Sequence, residues 1–245
     1  MNQSVMKAFD ILSFVVDNPQ KLSLNQMGRA LKMNKTTLFR FLSTLESLNL
    51  LDRRDDYYVP GIKLFELGSK VPVKQLIVDR VHPFLAGLTA EVNETVNMGE
   101  LSNGQVLYLD KTESQRSLQI HTYIGSYTDL HCTALGKAIL SILPEPRRDE
   151  IMAGLSFIAK THNTITDPQK LRGQVRKVCE RGYSIDMEEL EEGLHCVAVP
   201  LFIEPLNFFG AISCSGPSVR FTPQRMAELA VKLKKTIEEI QQVFR

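Results

Sequence analysis

Residues 23–48 constrain the fold more than any other part of this sequence. Ser23 is a favourable N-cap for a short helix through Leu31, and Asn34 is one for a longer helix. Only the turn Lys32-Met33-Asn34 separates the two. The longer helix carries apolar residues at helical spacing on one stripe: Leu38, Phe41, Leu42, Leu45 and Leu48. A short helix, a tight turn and a longer helix form a helix-turn-helix.

A further helix precedes this unit and a hairpin follows it. Ser4 is the predicted N-cap of a helix that runs to about Asn18 and is ended by Pro19. Downstream, Leu51–Val59 places two short extended segments around an acidic turn. Three helices followed directly by a hairpin predict a winged helix-turn-helix domain over residues 1–62.

The charge pattern of this domain fits a polyanionic partner. No acidic residue lies between Asp17 and Glu46, whereas five basic ones do: Lys21, Arg29, Lys32, Lys35 and Arg40. A basic stretch on a compact helical unit suits the phosphate backbone of DNA. From charge alone, a solvated helix face explains the stretch equally well.

The third helix is the predicted recognition helix. Its first turn, and Arg40 one turn later, point away from the apolar stripe. With the amino end of the helix in a major groove, these side chains reach base edges and phosphates, and the hairpin arginines reach phosphate or the minor groove. We therefore predict that double-stranded DNA is contacted by Lys32, Lys35, Thr36, Thr37, Arg40, Arg53 and Arg54.

Linker helices are predicted over residues 63–92, overlapping a larger domain over residues 75–245. A short helix spans Gly61–Gly68, and a longer one runs from Pro72 toward Val92, bent or divided by Pro83. The apolar stripe of the longer helix is short. Pairing with its copy in a dimer and packing against its own chain therefore fit it equally well.

The larger domain mixes strands and helices. Extended segments at 95–101 and 106–111 flank the strong hairpin turn Asn103-Gly104, and a third covers 117–124. Helices follow at 134–143, 147–154 and 166–181, and strands return at 183–187, 195–202 and 208–215. These patterns predict an α+β domain with a largely antiparallel sheet.

Two of its helices carry clear boundary signals. Thr166 and Gln169 form a predicted capping box at the start of the helix at 166–181, and Gly182 ends it. Thr222-Pro223 starts a final amphipathic helix that ends near Phe244.

The bulk properties are those of an ordinary globular protein. The chain has 245 residues, 43% of them hydrophobic, which suffices for two domains with sizeable cores. No apolar run approaches the ~20 residues of a membrane helix, and the amino terminus lacks a signal-peptide pattern. We therefore expect a cytoplasmic protein with no membrane partner, and its four cysteines to be free thiols.

The segment Thr133–Gly136 opens a predicted helix. Free backbone N–H groups at a helix start, with the positive end of the helix dipole, attract a carboxylate. Gly136 permits close approach to that start. A plain capped helix fits the same residues.

Asp186 and Cys196 lie on predicted strands of the same domain. Asp186 ends a strand, where it can accept a hydrogen bond from a ligand hydroxyl, hold a proton beside a ligand carboxylate, or cap the following turn. On a strand, Cys196 and Val197 point to opposite faces, so one of them faces the domain interior. A cysteine in that position is usually a small buried hydrophobe. The glutamates that follow Asp186 are expected to form a solvated acidic loop: Glu188, Glu189, Glu191 and Glu192.

Metal and enzyme chemistry find little support in the motifs. The repeated pairs His131-Cys132 and His195-Cys196 offer imidazole and thiolate, which zinc accepts, but at no recognised spacing. Gly136-Lys137 is not part of a phosphate loop, and the sequence contains neither HExxH nor GxSxG. We predict no metal, no cofactor and no enzymatic activity.

Six segments together resemble the IclR family of bacterial transcription regulators. They follow one another in the family's order and spacing over essentially the whole chain: Lys35–Leu42, Tyr58–Leu64, His131–Leu140, Arg181–Glu189, Gly193–Ala198 and Ile212–Pro217. The resemblance implies an α+β chain in which a linker helix joins a winged helix-turn-helix to a GAF-like effector-binding domain. It also implies a homodimer, or a dimer of dimers, on an inverted-repeat operator.

The same resemblance implies a small organic acid as effector. Family pockets use the positions of Ala134, Leu135, Asp186 and Cys196, to which the helix start adds Thr133 and Gly136. Leu135 is bulkier than the residue that relatives often carry, which changes the size of the pocket. The predicted function is thus a DNA-binding transcriptional regulator. A metal-responsive regulator, and less so a small-molecule enzyme with a basic N-terminal module, are the alternatives.

Overall fold

The chain divides into two units, Met1–Pro72 and Val73–Arg245. The computed structural model describes residues 2–18, 23–116 and 122–245. Pro19, Lys21 and most of the strand predicted at 117–124 lie outside these ranges. Within them, no helix combines the length and the apolar character needed to cross a bilayer.

The first unit begins with three helices in the predicted order: α1 (Gln3–Asp17), α2 (Leu24–Ala30) and α3 (Lys35–Ser47). Ile11, Leu38 and Leu42 are fully buried between them. Leu38, Leu42 and Leu45 of the third helix therefore lie in the core of this unit, and the helix-turn-helix is confirmed. Leu48, predicted on the same stripe, is the C-cap of the helix and is exposed.

A two-stranded hairpin completes the winged helix. Its strands β1 (Leu51–Arg54) and β2 (Tyr57–Pro60) pair antiparallel, with Arg53 opposite Tyr58. The helix α4 (Ile62–Gly68) follows directly and contacts the first strand. The predicted linker, residues 63–92, is therefore shared between both units.

Side-chain caps determine where these helices begin. Ser23 and Gln26 form a capping box at α2, and the Asn34 side chain accepts from the Thr37 amide at 2.8 Å at α3. Both caps agree with the sequence, because a cap depends only on residues within one turn of it.

Two other predicted caps are wrong by one or two residues. Asn2 caps α1, since its side chain accepts from the Ser4 amide at 3.0 Å, and Ser4 lies inside the helix. Asp167 rather than Thr166 caps α8 (Pro168–Arg181), since it accepts from the Gln169 amide at 2.8 Å. In each case a second residue able to cap stands nearby in the sequence.

The second unit is built on a six-stranded sheet in which every pairing is antiparallel. The strands are β3 (Thr95–Ser102), β4 (Gln105–Thr112), β5 (Tyr127–Thr128), β6 (Ser184–Met187), β7 (Leu194–Ile203) and β8 (Phe208–Pro217). Their spatial order is β5-β4-β3-β8-β7-β6. The α+β class and the antiparallel sheet are thereby confirmed.

The turn between β3 and β4 has the predicted form. Asn103 and Gly104 have φ of 51° and 75°. Two consecutive residues in the left-handed region match the right-handed twist of a hairpin, and Asn-Gly tolerates that region best. The described part of the strand predicted at 117–124, Thr122–Ile124, is not a strand.

Helices cover both faces of the sheet. The helices α5 (Val73–Val92) and α9 (Pro223–Val243) pack on one face, and Pro83 lies inside the first without dividing it. On the other face α6 (Ala134–Ile142) packs against the sheet, with α8 behind it and α7 (Glu145–Ala153) nearby. Because Ile77 and Val81 of α5 are buried in this core, the apolar stripe of that helix packs against its own chain.

Candidate nucleic-acid interface and ligand cavity

The surface of α3 is divided between a buried face and a basic one. Its leucines Leu38, Leu42 and Leu45 are buried, whereas Lys35, Thr36 and Arg40 are exposed. Thr37 is only half-buried, and its amide donates to the Asn34 cap at 2.8 Å. The helix therefore presents three of its four predicted DNA contacts to solvent.

Lys35 and Arg53 line the same groove between the recognition helix and the hairpin. The groove holds about 270 Å³. Its other lining residues are Ser23, Leu24, Asn25, Phe39, Asp56 and Tyr58. Arg53 donates through Nε to the Asp55 carbonyl at 3.2 Å, and the neighbouring Arg54 is exposed. One cation from each element thus borders a single concave surface.

Lys32 and Thr37 line a different groove, against α1. Lys32 is exposed and has a φ of 51° in the turn between the helices. Lys7, Asp10 and Asp17 line the same groove. Its two basic residues are balanced by two acidic ones, whereas the groove beside Arg53 has two basic residues and one acidic residue, Asp56. The second groove is therefore less favourable for phosphate.

A small cavity lies beside the sheet where α6 begins, and it holds about 50 Å³. Five of the six residues predicted to bind a ligand line it: Thr133, Ala134, Leu135, Asp186 and Cys196. Its other walls were not predicted from the sequence, and they are Tyr108, Thr122, Leu190, Glu191, Leu194, Ser213 and Ser215. Ser213 and Ser215 alternate on one face of a buried strand, and that pattern was the available signal.

The start of α6 leaves amides without partners beside this cavity. Thr133 Oγ1 accepts from the Gly136 N–H at 3.0 Å and donates to the Asp129 carbonyl at 2.8 Å. Within the described part of the chain, the Ala134 and Leu135 amides have no acceptor. Two free N–H groups at the positive end of a helix dipole attract an anionic oxygen.

The Asp186 carboxyl is buried against this cavity. Burial raises its pKa from 3.8 to about 7, and nearby Glu189 adds to the rise, whereas Lys137 opposes it. The Glu189 N–H donates to Asp186 Oδ1 at 2.7 Å, so Asp186 also caps the turn that follows its strand. Near neutral pH a large fraction of this carboxyl carries a proton and can donate a hydrogen bond.

Lys137 and Glu189 form a buried ion pair that the sequence analysis missed. Lys137 is 1% exposed and Glu189 is 9% exposed. The expectation of a solvated acidic loop is therefore wrong for Glu189, whereas Glu188 is half-buried and Glu191 and Glu192 are exposed. Lys137 is the only charged residue of Ala134–Ile142 and was the available signal, because a buried ammonium requires a buried acceptor.

Gly136 is the predicted ligand-binding residue that does not line the cavity. A Cβ atom there would lie 2.3 Å from the Leu130 carbonyl oxygen and 2.4 Å from the Leu130 Cα. The absence of a side chain at Gly136 therefore allows α6 to lie close to the backbone of Leu130, which precedes the helix. Gly136 therefore has a packing role, and its contact with a ligand stays a prediction.

The two His-Cys pairs do not converge on one site. The His195 Nδ1 lies 3.1 Å from the Phe221 carbonyl, on the face covered by α5 and α9. Cys196, the next residue of β7, faces the cavity on the opposite side of the sheet. All four cysteines are free thiols, as predicted.

Comparison with known proteins identifies both units. The family "Bacterial transcriptional regulator IclR C-terminal" matches residues 70–242, and the "IclR helix-turn-helix domain" matches residues 4–55. The HTH-type transcriptional regulator KdgR of Escherichia coli is 29% identical over 97% of this chain and 90% of its own length.

Solved structures agree with this match. The crystal structure of the Thermotoga maritima IclR protein is 33% identical, covers 99% of this chain and 98% of its own, and has a TM-score of 0.66. An IclR homolog from Microbacterium hydrocarbonoxydans, complexed with 4-hydroxybenzoate, shares the fold at 18% identity and a TM-score of 0.63. That match covers 98% of this chain and 99% of the homolog.

Proposed function

The chain belongs to the IclR family of bacterial transcriptional regulators, and we propose that it binds an inverted-repeat operator as a dimer and responds to a small organic acid. The observation that carries this proposal is the groove shared by Lys35 and Arg53, in which the recognition helix and the hairpin each contribute a cation. A regulator of this kind acts on chromosomal DNA in the cytoplasm.

Operator binding depends on the amino end of α3. In a major groove, Lys35 and Arg40 reach base edges, and each base contact contributes about 1–3 kcal/mol of discrimination. Arg53 and Arg54 of the hairpin bind phosphate, which adds affinity that falls as salt rises. The two kinds of contact are separable, because only the first depends on the DNA sequence.

Dimerisation through the first unit is supported by apolar side chains exposed on α1 and α4. Seven of them are about half exposed or more: Val5, Met6, Phe9, Val16, Ile62, Phe65 and Leu67. Large apolar side chains exposed in this number favour an interaction surface, and a second copy of the chain presents the same apolar residues in return.

A symmetric dimer presents two recognition helices to mirrored half-sites. Footprinting should therefore reveal an inverted repeat, and a single unsymmetrical site bound by one chain would contradict the dimer. Sedimentation of the free protein distinguishes a dimer from a dimer of dimers.

The effector is a small carboxylic acid that also carries a hydroxyl or keto group. Its carboxylate accepts from the free amides of Ala134 and Leu135. The protonated Asp186 then donates to the second oxygen, which avoids the repulsion between two carboxylates. The 4-hydroxybenzoate bound by the Microbacterium relative combines a carboxylate with a hydroxyl group.

Effector binding requires the cavity to enlarge. Its 50 Å³ is far below the roughly 300–1,000 Å³ of ordinary ligand pockets. Leu190 and Glu191 form one wall, between β6 and β7, and Glu191 is exposed to solvent. This wall is the one that opens, because most of the other walls belong to the sheet and to the start of α6.

A thermal-shift screen of organic acids tests the effector proposal, since a ligand that binds only the native state raises the melting temperature. The best hit is then titrated calorimetrically into the full chain and its variants. Asp186→Ala should lose effector affinity and keep operator affinity, whereas Glu192→Ala, an exposed acidic neighbour, should change neither. Unchanged affinity in Asp186→Ala and Leu135→Ala together would move the pocket elsewhere.

A further inference from the structure

A second cluster of ligating side chains lies just before α6. Asp129, His131 and Cys132 each offer one ligand atom, and these three atoms lie within 4.8 Å of one another. None of the three residues lines the cavity described above. A carboxylate, an imidazole and a thiolate together form a donor set that Zn²⁺ accepts.

The orientation of the His131 ring supports a metal ligand. Its Nε2 lies 3.1 Å from the Ile158 carbonyl, so Nε2 carries the proton and donates to that oxygen. Nδ1 therefore holds a free lone pair, and it is buried without a hydrogen-bond partner among the described residues. Histidines that bind metals usually donate their other ring N–H to a carbonyl or carboxylate in this manner. The Phe157 ring packs against the His131 ring, with 5.4 Å between the ring centroids, and limits the rotation of the imidazole.

A path from solvent leads to this cluster. A separate cavity of about 590 Å³ is lined by Asp129 and His131, together with Arg147 and Glu150. The Asp129 carboxylate forms an ion pair with Lys160, with 3.1 Å between Oδ2 and Nζ, and both side chains are partly exposed. Lys160 can therefore turn into solvent when another cation takes its place.

We propose that Asp129, His131 and Cys132 bind a zinc ion, with water from this second cavity as the fourth ligand. Three protein ligands and one open position are a common arrangement for zinc. Because Cys132 immediately precedes Thr133, the ion holds the start of the helix that lines the effector cavity. The site does not depend on the operator or on the organic acid.

Metal titration of the full chain tests the proposal. The reduced protein, stripped with a chelator, is titrated with Zn²⁺ against a chromophoric chelator, and separately with Co²⁺ while its absorption spectrum is recorded. We expect one ion per chain. We also expect a thiolate-to-cobalt charge-transfer band, with the strong visible bands of a tetrahedral ion.

Two variants and two controls make the test specific. Cys132→Ser should abolish the charge-transfer band, and Asp129→Asn should lower Zn²⁺ affinity more than about tenfold. Cys196→Ser and the exposed Cys179→Ser should leave both readouts unchanged. Asp129 is partly exposed, so Asp129→Asn remains informative if Cys132→Ser fails to fold. Less than one ion per chain, a band that survives Cys132→Ser, or full affinity in Asp129→Asn would overturn the proposal.

Discussion

Replacing Gly136 with alanine separates a packing role from a ligand role. The added Cβ would meet three backbone atoms of Leu130 at 2.3–2.7 Å, about 1 Å closer than van der Waals contact. Backbone atoms cannot rotate away as a side chain can, so α6 must shift. Overpacking of this kind costs about 1–3 kcal/mol, and the geometry places Gly136→Ala at about 3 kcal/mol. For a domain of this size, the melting temperature should fall by about 6–12 °C.

Gly173→Ala is the matched control, because Gly173 also lies within a helix and a Cβ there meets nothing within 4 Å. That variant should gain about 0.5–1 kcal/mol from helix propensity. Scanning calorimetry of the full chain, following the transition of the second unit, measures both changes. If the two variants melt alike, Gly136 is not a packing residue.

The remaining predictions concern the buried charges beside the effector cavity. Lys137→Met should lower the free energy of unfolding of the second unit by about 3–5 kcal/mol in urea denaturation, because it leaves the Glu189 carboxylate buried without its ion-pair partner. Adding Glu189→Gln should recover part of this loss. Equal stability of the single and double variants would contradict the ion pair. Because burial raises the folded-state pKa of Asp186 to about 7 from 3.8, the folded chain retains a proton that the unfolded chain releases. Its contribution to stability is full below about pH 4 and is lost as the pH rises to about 7. Asp186→Asn should remove that part of the pH dependence of stability. If stability falls with pH in the variant as it does in the wild type, the raised pKa of Asp186 is contradicted.

Features that depend on neighbouring residues were predictable from the sequence. The Asn34 cap, the Asn103-Gly104 turn and the Gly182 helix end each involve residues within a few positions of one another. Local hydrogen bonds and backbone preferences determine such features. The predicted caps at Ser4 and Thr166 were misplaced only because Asn2 and Asp167, within two positions, offer the same chemistry.

Features that depend on partners far along the chain were not predictable in the same way. Lys137 meets Glu189 across 52 positions, and nothing near Glu189 distinguishes it from its solvated neighbours. The role of Gly136 depends on the path of the backbone at Leu130, which follows from tertiary packing. Asp186 was identified as a site residue, but its raised pKa required the burial that the sheet and α6 impose.

Binding of the full chain to DNA from its own promoter region tests the central claim most directly. Fluorescence anisotropy at several salt concentrations should show that Lys35→Ala/Arg40→Ala binds more weakly than wild type. Each lost base contact should cost about 1–3 kcal/mol of binding free energy. Each lost phosphate contact should lower the slope of log affinity against log salt concentration by about 1. Lys170→Ala/Lys177→Ala removes the same charge from exposed positions of α8 and should bind like wild type. Wild-type affinity in the Lys35→Ala/Arg40→Ala variant, or an equal loss in both double variants, would contradict α3 as the recognition helix.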